Sequence, residues 1–233
     1  MKGHYYPYLV KVFYTNLRDV NGVIHSRVKG VNITIDDNVW SDIAELKAEG
    51  LDSHFRDSES NRFLTKRPIY ISFLRYPGRY RVDKKYLHDG LNKEEKMIAY
   101  VLTWLILPGR LNEDRMSIED VFMLNAMRTR IPTNFVAVLK HHMIVVGDDY
   151  SRKLPYGVFI SKGLELQGVD VSQEERIVCK RSKEIGILSL SSIGLKKTVN
   201  EWFFIDEQTV GSPPTLDQDH TEDSYDEDSI ESS

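Results

Sequence analysis

The segment from residue 75 to residue 86, RYPGRYRVDKKY, carries the densest mixture of cations and aromatic rings in the chain. Cations at this density can neutralise phosphates, and rings between them offer faces on which unpaired bases stack. Alternatively, the tyrosines cover the edge of a core while the cations reach into water. The candidate nucleic-acid-binding residues are Arg75, Arg79, Tyr80, Arg81, Lys84 and Lys85.

A second group of polar residues has the side-chain types of a metal site. His141, His142, Asp148 and Asp149 lie within nine residues of one another. Adjacent histidines point about 100° apart on a helix, which disfavours their binding one ion, and the zinc-protease pattern of two histidines four residues apart is absent. We interpret the group as a solvated helix end and expect neither a metal nor a cofactor.

The sequence around each candidate nucleophile gives little support for a catalytic role. Cys179 precedes Lys180 and Arg181, and such cations can lower the pKa of a thiol. Ser161 and Ser191 lack the strand, turn and flanking glycines of a nucleophile elbow. The pattern therefore predicts a protein without catalytic residues, and we expect no enzymatic activity.

Charge divides the chain into two predicted regions. Residues 207–233 contain nine acidic residues and no Lys or Arg, which against the formal net charge of −4 for the whole chain leaves +5 on residues 1–206. The acidic segment also has few apolar residues, so it cannot offset the entropy of an ordered chain. We predict one globular domain over residues 1–206 and a disordered acidic tail over residues 207–233.

The cysteine content and the N-terminal sequence predict an intracellular protein, either nuclear or cytoplasmic. The single cysteine excludes an internal disulfide, which suits a reducing compartment, and the N-terminus lacks the pattern of a secretory signal. The longest apolar run, residues 97–107, is about half of the roughly 20 residues that span a bilayer. We expect no association with a membrane.

Apolar periodicity and turn residues predict an α+β fold, mostly helical, with short β-hairpins. The turns are expected at Asn21-Gly22 and Lys29-Gly30, and residues 68–81 are expected to be extended before a turn at Pro77-Gly78. Trp104, inside the longest apolar run, is expected in the core. Helices are expected over residues 7–19, 36–50, 92–108, 117–125, 134–146 and 155–167.

Several of these segments carry a resemblance to a known family. The pieces FYTNL (13–17), VKGVNITID (28–36), the helix over 92–108 and LPYGVFISKGLELQGVDVSQEE (154–175) occur in this order. In this respect the chain resembles the Putative plant transposon protein domain of gypsy-type retroelement reading frames, over roughly residues 9 to 204. The resemblance implies a retroelement origin in a plant and assigns no chemistry to individual residues.

The sequence therefore predicts a retroelement-derived, non-enzymatic binding or assembly module. A weak nucleic-acid-binding protein that uses residues 75–86 is the alternative. Self-association, a protein partner and nucleic acid all stay open as partners. Trp202, in a predicted terminal strand, is a candidate for pairing at a sheet edge with another chain.

Overall fold

Helices supply most of the regular structure in the computed structural model, which describes residues 3–55, 57–80, 86–108, 115–147, 154–179, 191, 194–197 and 202–205. The helices are α1 (Pro7–Thr15), α2 (Asp37–Ala44), α3 (Lys66–Ser72), α4 (Lys93–Val101), α5 (Ile118–Arg128), α6 (Phe135–Gly147) and α7 (Gly157–Leu166). The strands are β1 (His4–Tyr5), β2 (Arg18–Val20), β3 (Val23–Val28), β4 (Val31–Ile35), β5 (Ile177–Val178), β6 (Leu195–Lys197) and β7 (Trp202–Phe204). The predicted α+β class with short hairpins is confirmed. The predicted acidic tail, 207–233, lies outside the described residues.

Helix α1 begins at Pro7, as predicted, but ends at Thr15 instead of continuing to residue 19. Its last turn is bound by the following sheet. The Ser26 hydroxyl donates to the Phe13 carbonyl at 2.8 Å, and the Asn16 side-chain amide donates to the Arg27 carbonyl at 2.8 Å. These two bonds between the end of α1 and β3 fix the chain where the helix stops, and the next residues form β2.

Strands β2, β3 and β4 form an antiparallel meander in that order. Both predicted turns are confirmed, because Asn21 and Gly22 have φ angles of 54° and 78°, and Lys29 and Gly30 have 49° and 84°. Two consecutive positive φ angles define the type I′ turn, whose twist matches that of a hairpin. The β3–β4 hairpin agrees with the prediction from the sequence, whereas β2, whose three residues are all exposed, was not predicted.

One face of this sheet packs against α1, α2 and α7 to form the N-terminal core. Trp40 of α2 stacks on Phe159 of α7, with ring centroids 4.1 Å apart and planes 16° from parallel. Helix α2 starts as predicted at Asp36, whose carboxylate accepts from the Val39 amide at 3.0 Å. It ends at Ala44 and not near residue 50, because Glu45 adopts a left-handed conformation with φ of 57°.

The expectation of an extended segment over residues 68–81 is wrong. Residues 66–72 form α3, and Pro77–Arg79 form a single 3₁₀ turn. The alternation of Ile69, Ile71 and Phe73 suggested a strand, yet Ile71 is only half-buried. The buried set is Ile69, Tyr70, Phe73 and Leu74, whose spacing is that of a helix face.

Helices α3, α4 and α5 enclose a second group of buried side chains, the central core. Helix α4 continues into a π-helical turn over residues 102–106, so the predicted helix over 92–108 is confirmed in extent. Trp104 is not in the core as expected, since 46% of it is exposed. The π-helical turn rotates the chain after Leu102, which is buried, and leaves Trp104 and Leu105 exposed.

Helix α6 contributes to both cores. Val136 and Met143 are buried in the N-terminal core, and Val138 is buried in the central core. The two cores therefore share one helix. Across all the residues described above, no helix combines the length and the apolar character that crossing a membrane requires.

Candidate nucleic-acid interface

Residues 75–90, which we call the basic loop, form an excursion that is closed at its base. Leu74 and Leu91 pair as an antiparallel bridge, and the Arg75 amide donates to the Gly90 carbonyl at 2.9 Å. Surface loops whose ends lie close together frequently carry function. Its sequence contains five cations and two carboxylates, so it adds a net charge of +3: Arg75, Arg79, Arg81, Lys84, Lys85, Asp83 and Asp89.

The returning half of the basic loop is bound to helices α3 and α5. The Tyr70 hydroxyl donates to the Leu87 carbonyl at 2.8 Å and accepts from the Leu87 amide at 3.0 Å. The Met116 amide, just before α5, donates to the Tyr86 carbonyl at 2.8 Å. Burial raises the pKa of the Tyr70 phenol, which keeps it a neutral donor.

Cations of α3 and of the basic loop lie over aromatic rings. The Lys66 ammonium is 4.1 Å from the centroid of Tyr86, and the Arg67 guanidinium is 5.4 Å from that of Tyr80. Arg75 lies 5.0 Å from the ring centroid of Tyr76. Three such pairs therefore lie around this one loop.

Three further cation–ring contacts involve residues near these pairs in the sequence or in the fold. Phe204 of β7 lies under the Arg75 guanidinium at 4.5 Å and under the Lys96 ammonium at 5.6 Å. Four residues before Lys66 in the sequence, the Arg62 guanidinium is 4.8 Å from the ring centroid of Phe63. We define the cation–ring surface by its members: Arg62, Phe63, Lys66, Arg67, Arg75, Tyr76, Tyr80, Tyr86, Lys96 and Phe204.

Acidic groups compensate part of this positive charge. Burial lowers the pKa of the Lys66 ammonium, and the nearby carboxylates of Glu119 and Asp120 act in the opposite direction. Lys96 lies 3.6 Å from an exposed Asp89 carboxylate. Carboxylates therefore reduce the net positive charge on this part of the central core.

The predicted nucleic-acid residues lie on this surface as far as they are described. Arg75 is half-buried between Tyr76 and Phe204, and Tyr80 packs edge-on against Tyr70 with ring centroids 6.1 Å apart. Arg79 belongs to the 3₁₀ turn, where only its backbone is described. Arg81, Lys84 and Lys85 lie outside the described residues.

Three members of the cation–ring surface were not predicted from the sequence: Lys66, Arg67 and Phe204. Lys66 and Arg67 were not recognised because an extended segment over residues 68–81 would place them far from the rings of the basic loop. Phe204 belongs to the predicted terminal strand, now confirmed as β7, but its contact with Arg75 joins residues that are 129 positions apart. The helical spacing of Ile69, Tyr70 and Phe73 was the signal in the sequence that could have placed Lys66 and Arg67 beside these tyrosines.

The histidine pair is split between two environments. His142 is buried, and its Nε2 is 2.9 Å from the Pro108 carbonyl, so it is not the solvated helix end that we expected. His141 faces His54, with ring centroids 5.4 Å apart. Asp148 and Asp149 lie outside the described residues. Within the described ranges, no three His, Cys, Asp or Glu side chains are placed to hold a metal ion.

The serine candidate has a structural contact. Ser161 of α7 is buried, and its hydroxyl oxygen accepts from the Tyr6 amide at 3.1 Å. This bond joins α7 to the entry of α1. The Cys179 amide donates to the Gly3 carbonyl at 3.0 Å, beyond the end of the β1–β5 pair.

The fold and this surface define a small α+β module with paired cations and rings on the rim of its central core. A model of the Putative plant retrotransposon-related domain matches residues 1–170, and the chain belongs to that family. The predicted origin from a plant retroelement is confirmed. The match includes α1 to α7 and all of the cation–ring surface except Phe204. Comparisons with curated proteins and with solved structures found no match.

Proposed function

We propose that this retroelement-derived protein is a non-enzymatic binding module that holds single-stranded nucleic acid on its cation–ring surface. The observation that supports this proposal is the concentration of cation–ring pairs on α3 and the basic loop. Lys66 over Tyr86 and Arg67 over Tyr80 combine a charge for a phosphate with a planar group for a base.

A single strand fits this surface better than a duplex. Bases in a duplex are stacked on one another and present only their edges, whereas unpaired bases can stack on rings and on guanidinium planes. Tyr76 supports this choice because half of its surface is exposed beside Arg75. The charge of +5 on residues 1–206 favours moderate affinity, and the acidic residues of 207–233 would compete with nucleic acid for the same cations.

The test is binding of the full chain to fluorescent single-stranded and duplex oligonucleotides at several salt concentrations, measured by anisotropy. Replacing Arg67 and Arg75 with Ala should weaken single-strand binding and make the salt dependence shallower, by about one unit of slope per lost phosphate contact. The matched control replaces the exposed Lys11 and Lys47, on the side of the N-terminal core, with Ala. It removes the same charge and should leave the affinity nearly unchanged.

A second full-length variant tests the acidic segment. Replacing the nine carboxylates of residues 207–233 with their amides should raise the affinity at low salt and have little effect at high salt. If neither this variant nor the native chain binds oligonucleotides at low salt, nucleic acid is the wrong ligand. If the oligonucleotide is cleaved during incubation with Mg²⁺, the proposal of a non-enzymatic module is wrong.

Assembly is a second candidate function, supported by a different surface. Met97, Trp104 and Leu105 are exposed on α4 and its π-helical turn, and the Tyr100 ring lies 6.2 Å from that of Trp104. Exposed aromatic and apolar side chains at helical spacing are typical of protein interfaces. Light scattering tests this candidate: a mass that exceeds one chain and returns to one chain in Trp104→Ala would support assembly.

A further inference from the structure

We infer that Phe63 is a stacking platform for one unpaired base, an inference that rests on the proposed binding of single-stranded nucleic acid. Phe63 is 84% exposed, more than any other large apolar side chain in the part of the chain that the structure describes. Phe63 therefore contributes almost none of the stabilisation that a buried phenylalanine side chain gives to a fold. Its ring is thus available to a ligand.

A cation lies close to the ring of Phe63. The Arg62 guanidinium carbon is 4.8 Å from the ring centroid, which is the geometry of a cation–ring pair. With an exposure this high, the rest of the ring surface stays open to solvent. A base that stacked there would meet a ring supported by a positive charge, close to where its phosphate must be neutralised.

The backbone beneath Phe63 is fixed by hydrogen bonds. The side-chain amide of Asn61 donates to the carbonyls of Ser53 and Phe55 at 2.6 and 2.9 Å, and Asn61 is itself buried. The Leu64 amide donates to the Asn61 carbonyl at 2.8 Å. Phe63 therefore projects from an ordered turn, and a ligand would not have to bear the cost of ordering this backbone.

Phe63 is close in sequence to the cations of α3. Lys66 follows three residues later, so their Cα atoms are within about 11 Å of each other. Phosphates bound by Lys66 and Arg67 would bring a neighbouring base within reach of Phe63. Asp57 and Glu59 of the same loop weaken the local field, so stacking should contribute more than charge at this position.

The test uses the full chain and a labelled twelve-nucleotide oligothymidylate whose binding is measured by anisotropy. Phe63→Leu keeps apolar area and removes the π face, and it should weaken binding about tenfold. Phe63→Trp should keep or raise the affinity. The matched control is Tyr8→Leu, at an aromatic residue of α1 that is 66% exposed, and it should leave the affinity unchanged.

An abasic oligomer of the same length separates stacking from every other effect. It should bind the native chain and Phe63→Leu equally, because it has phosphates and no bases. If Phe63→Leu binds oligothymidylate as tightly as the native chain does, this inference is wrong and the proposed function is unaffected. Absence of binding by the native chain would remove both. An equal loss in Phe63→Leu and Phe63→Trp would also overturn stacking.

Discussion

The side-chain amide of Gln167 pairs with both backbone groups of Thr34. The Thr34 amide donates to Gln167 Oε1 at 2.8 Å, and Gln167 Nε2 donates to the Thr34 carbonyl at 3.0 Å. Thr34 lies on β4, whose other edge pairs with β3, so Gln167 occupies the place of a neighbouring strand. An edge strand with unpaired backbone groups promotes aggregation, and one residue after α7 closes this edge.

Replacing Gln167 with Glu should lower the free energy of unfolding by about 1–2 kcal/mol. The carboxylate keeps the acceptor for the Thr34 amide but places a second acceptor against the Thr34 carbonyl. Urea unfolding at neutral pH measures the change. The control is Gln173→Glu, an exposed position with the same change of charge, and its stability should be close to native. Equal losses in the two variants would show that Gln167 does not close the sheet edge.

The type I′ turn of the β3–β4 hairpin should make Gly30 sensitive to a methyl group. Gly30→Ala should cost about 1–2 kcal/mol, because φ of +84° is strained for any side chain although open space surrounds the added carbon. Gly78→Ala is the control, since its added carbon also meets open space and its φ lies outside the left-handed region. Thermal unfolding of both variants should show a loss only in Gly30→Ala.

The first turn of α5 contains a reciprocal cap. The Ser117 amide donates to the Asp120 carboxylate at 2.7 Å, and the Asp120 amide donates to the Ser117 hydroxyl at 3.1 Å. Ser117→Ala should therefore cost about 1 kcal/mol. Thr65→Ala is a matched control at the start of α3, where the cap side chain makes no such bond, and it should cost less. Similar losses by urea unfolding would contradict a specific role for the α5 cap.

His54 gives the fold a dependence on pH. It is 2% exposed, and neither of its ring nitrogens has a hydrogen-bond partner among the residues that the structure describes. Burial, together with a smaller effect of a positive charge on His141, lowers the pKa of His54 from 6.5 to about 4. The carboxylates of Asp52 and Glu119 act in the opposite direction. The folded protein therefore favours the neutral imidazole.

Acid should destabilise the native chain through this residue. Because the pKa of His54 is lower in the folded state, its contribution is fully present above the unfolded value and is lost as the pH falls towards about 4. Between pH 7 and pH 5 the free energy of unfolding should drop by about 2 kcal/mol from His54 alone. His54→Leu should remove this part of the slope in urea unfolding at both pH values. An unchanged slope in the variant would show that His54 is not the group responsible.

Local signals identified the parts of the fold whose geometry depends on adjacent residues. Asn21-Gly22 and Lys29-Gly30 predicted their turns because few residue pairs tolerate two positive φ angles. Ser117 with its acidic first turn predicted the start of α5. The ends of helices were less predictable. Helix α1 ends where the Ser26 hydroxyl binds the Phe13 carbonyl and the Asn16 amide binds the Arg27 carbonyl. These contacts join the helix to β3, and the sequence of α1 alone does not reveal them.

The wrong predictions for residues 68–81 and for Trp104 had a common cause, which is that packing between distant segments decided both. Ile69, Ile71 and Phe73 fit a strand as well as a helix in isolation, and only the central core, which buries Tyr70 and Leu74 as well, selects the helix. Trp104 was assigned to the core by its apolar neighbours. The π-helical turn that exposes it is a departure from helical geometry that apolar periodicity does not reveal.

By itself, the sequence determined the α+β class, the plant retroelement family, the hairpin turns and the cations and rings of residues 75–86, because these depend on composition and on neighbours along the chain. The tertiary structure alone decided that Lys66 and Arg67 join those rings and that Phe204 supports Arg75. It also decided that Phe63 stays exposed. Such contacts depend on which helix faces the cores bury, and packing between distant segments selects those faces.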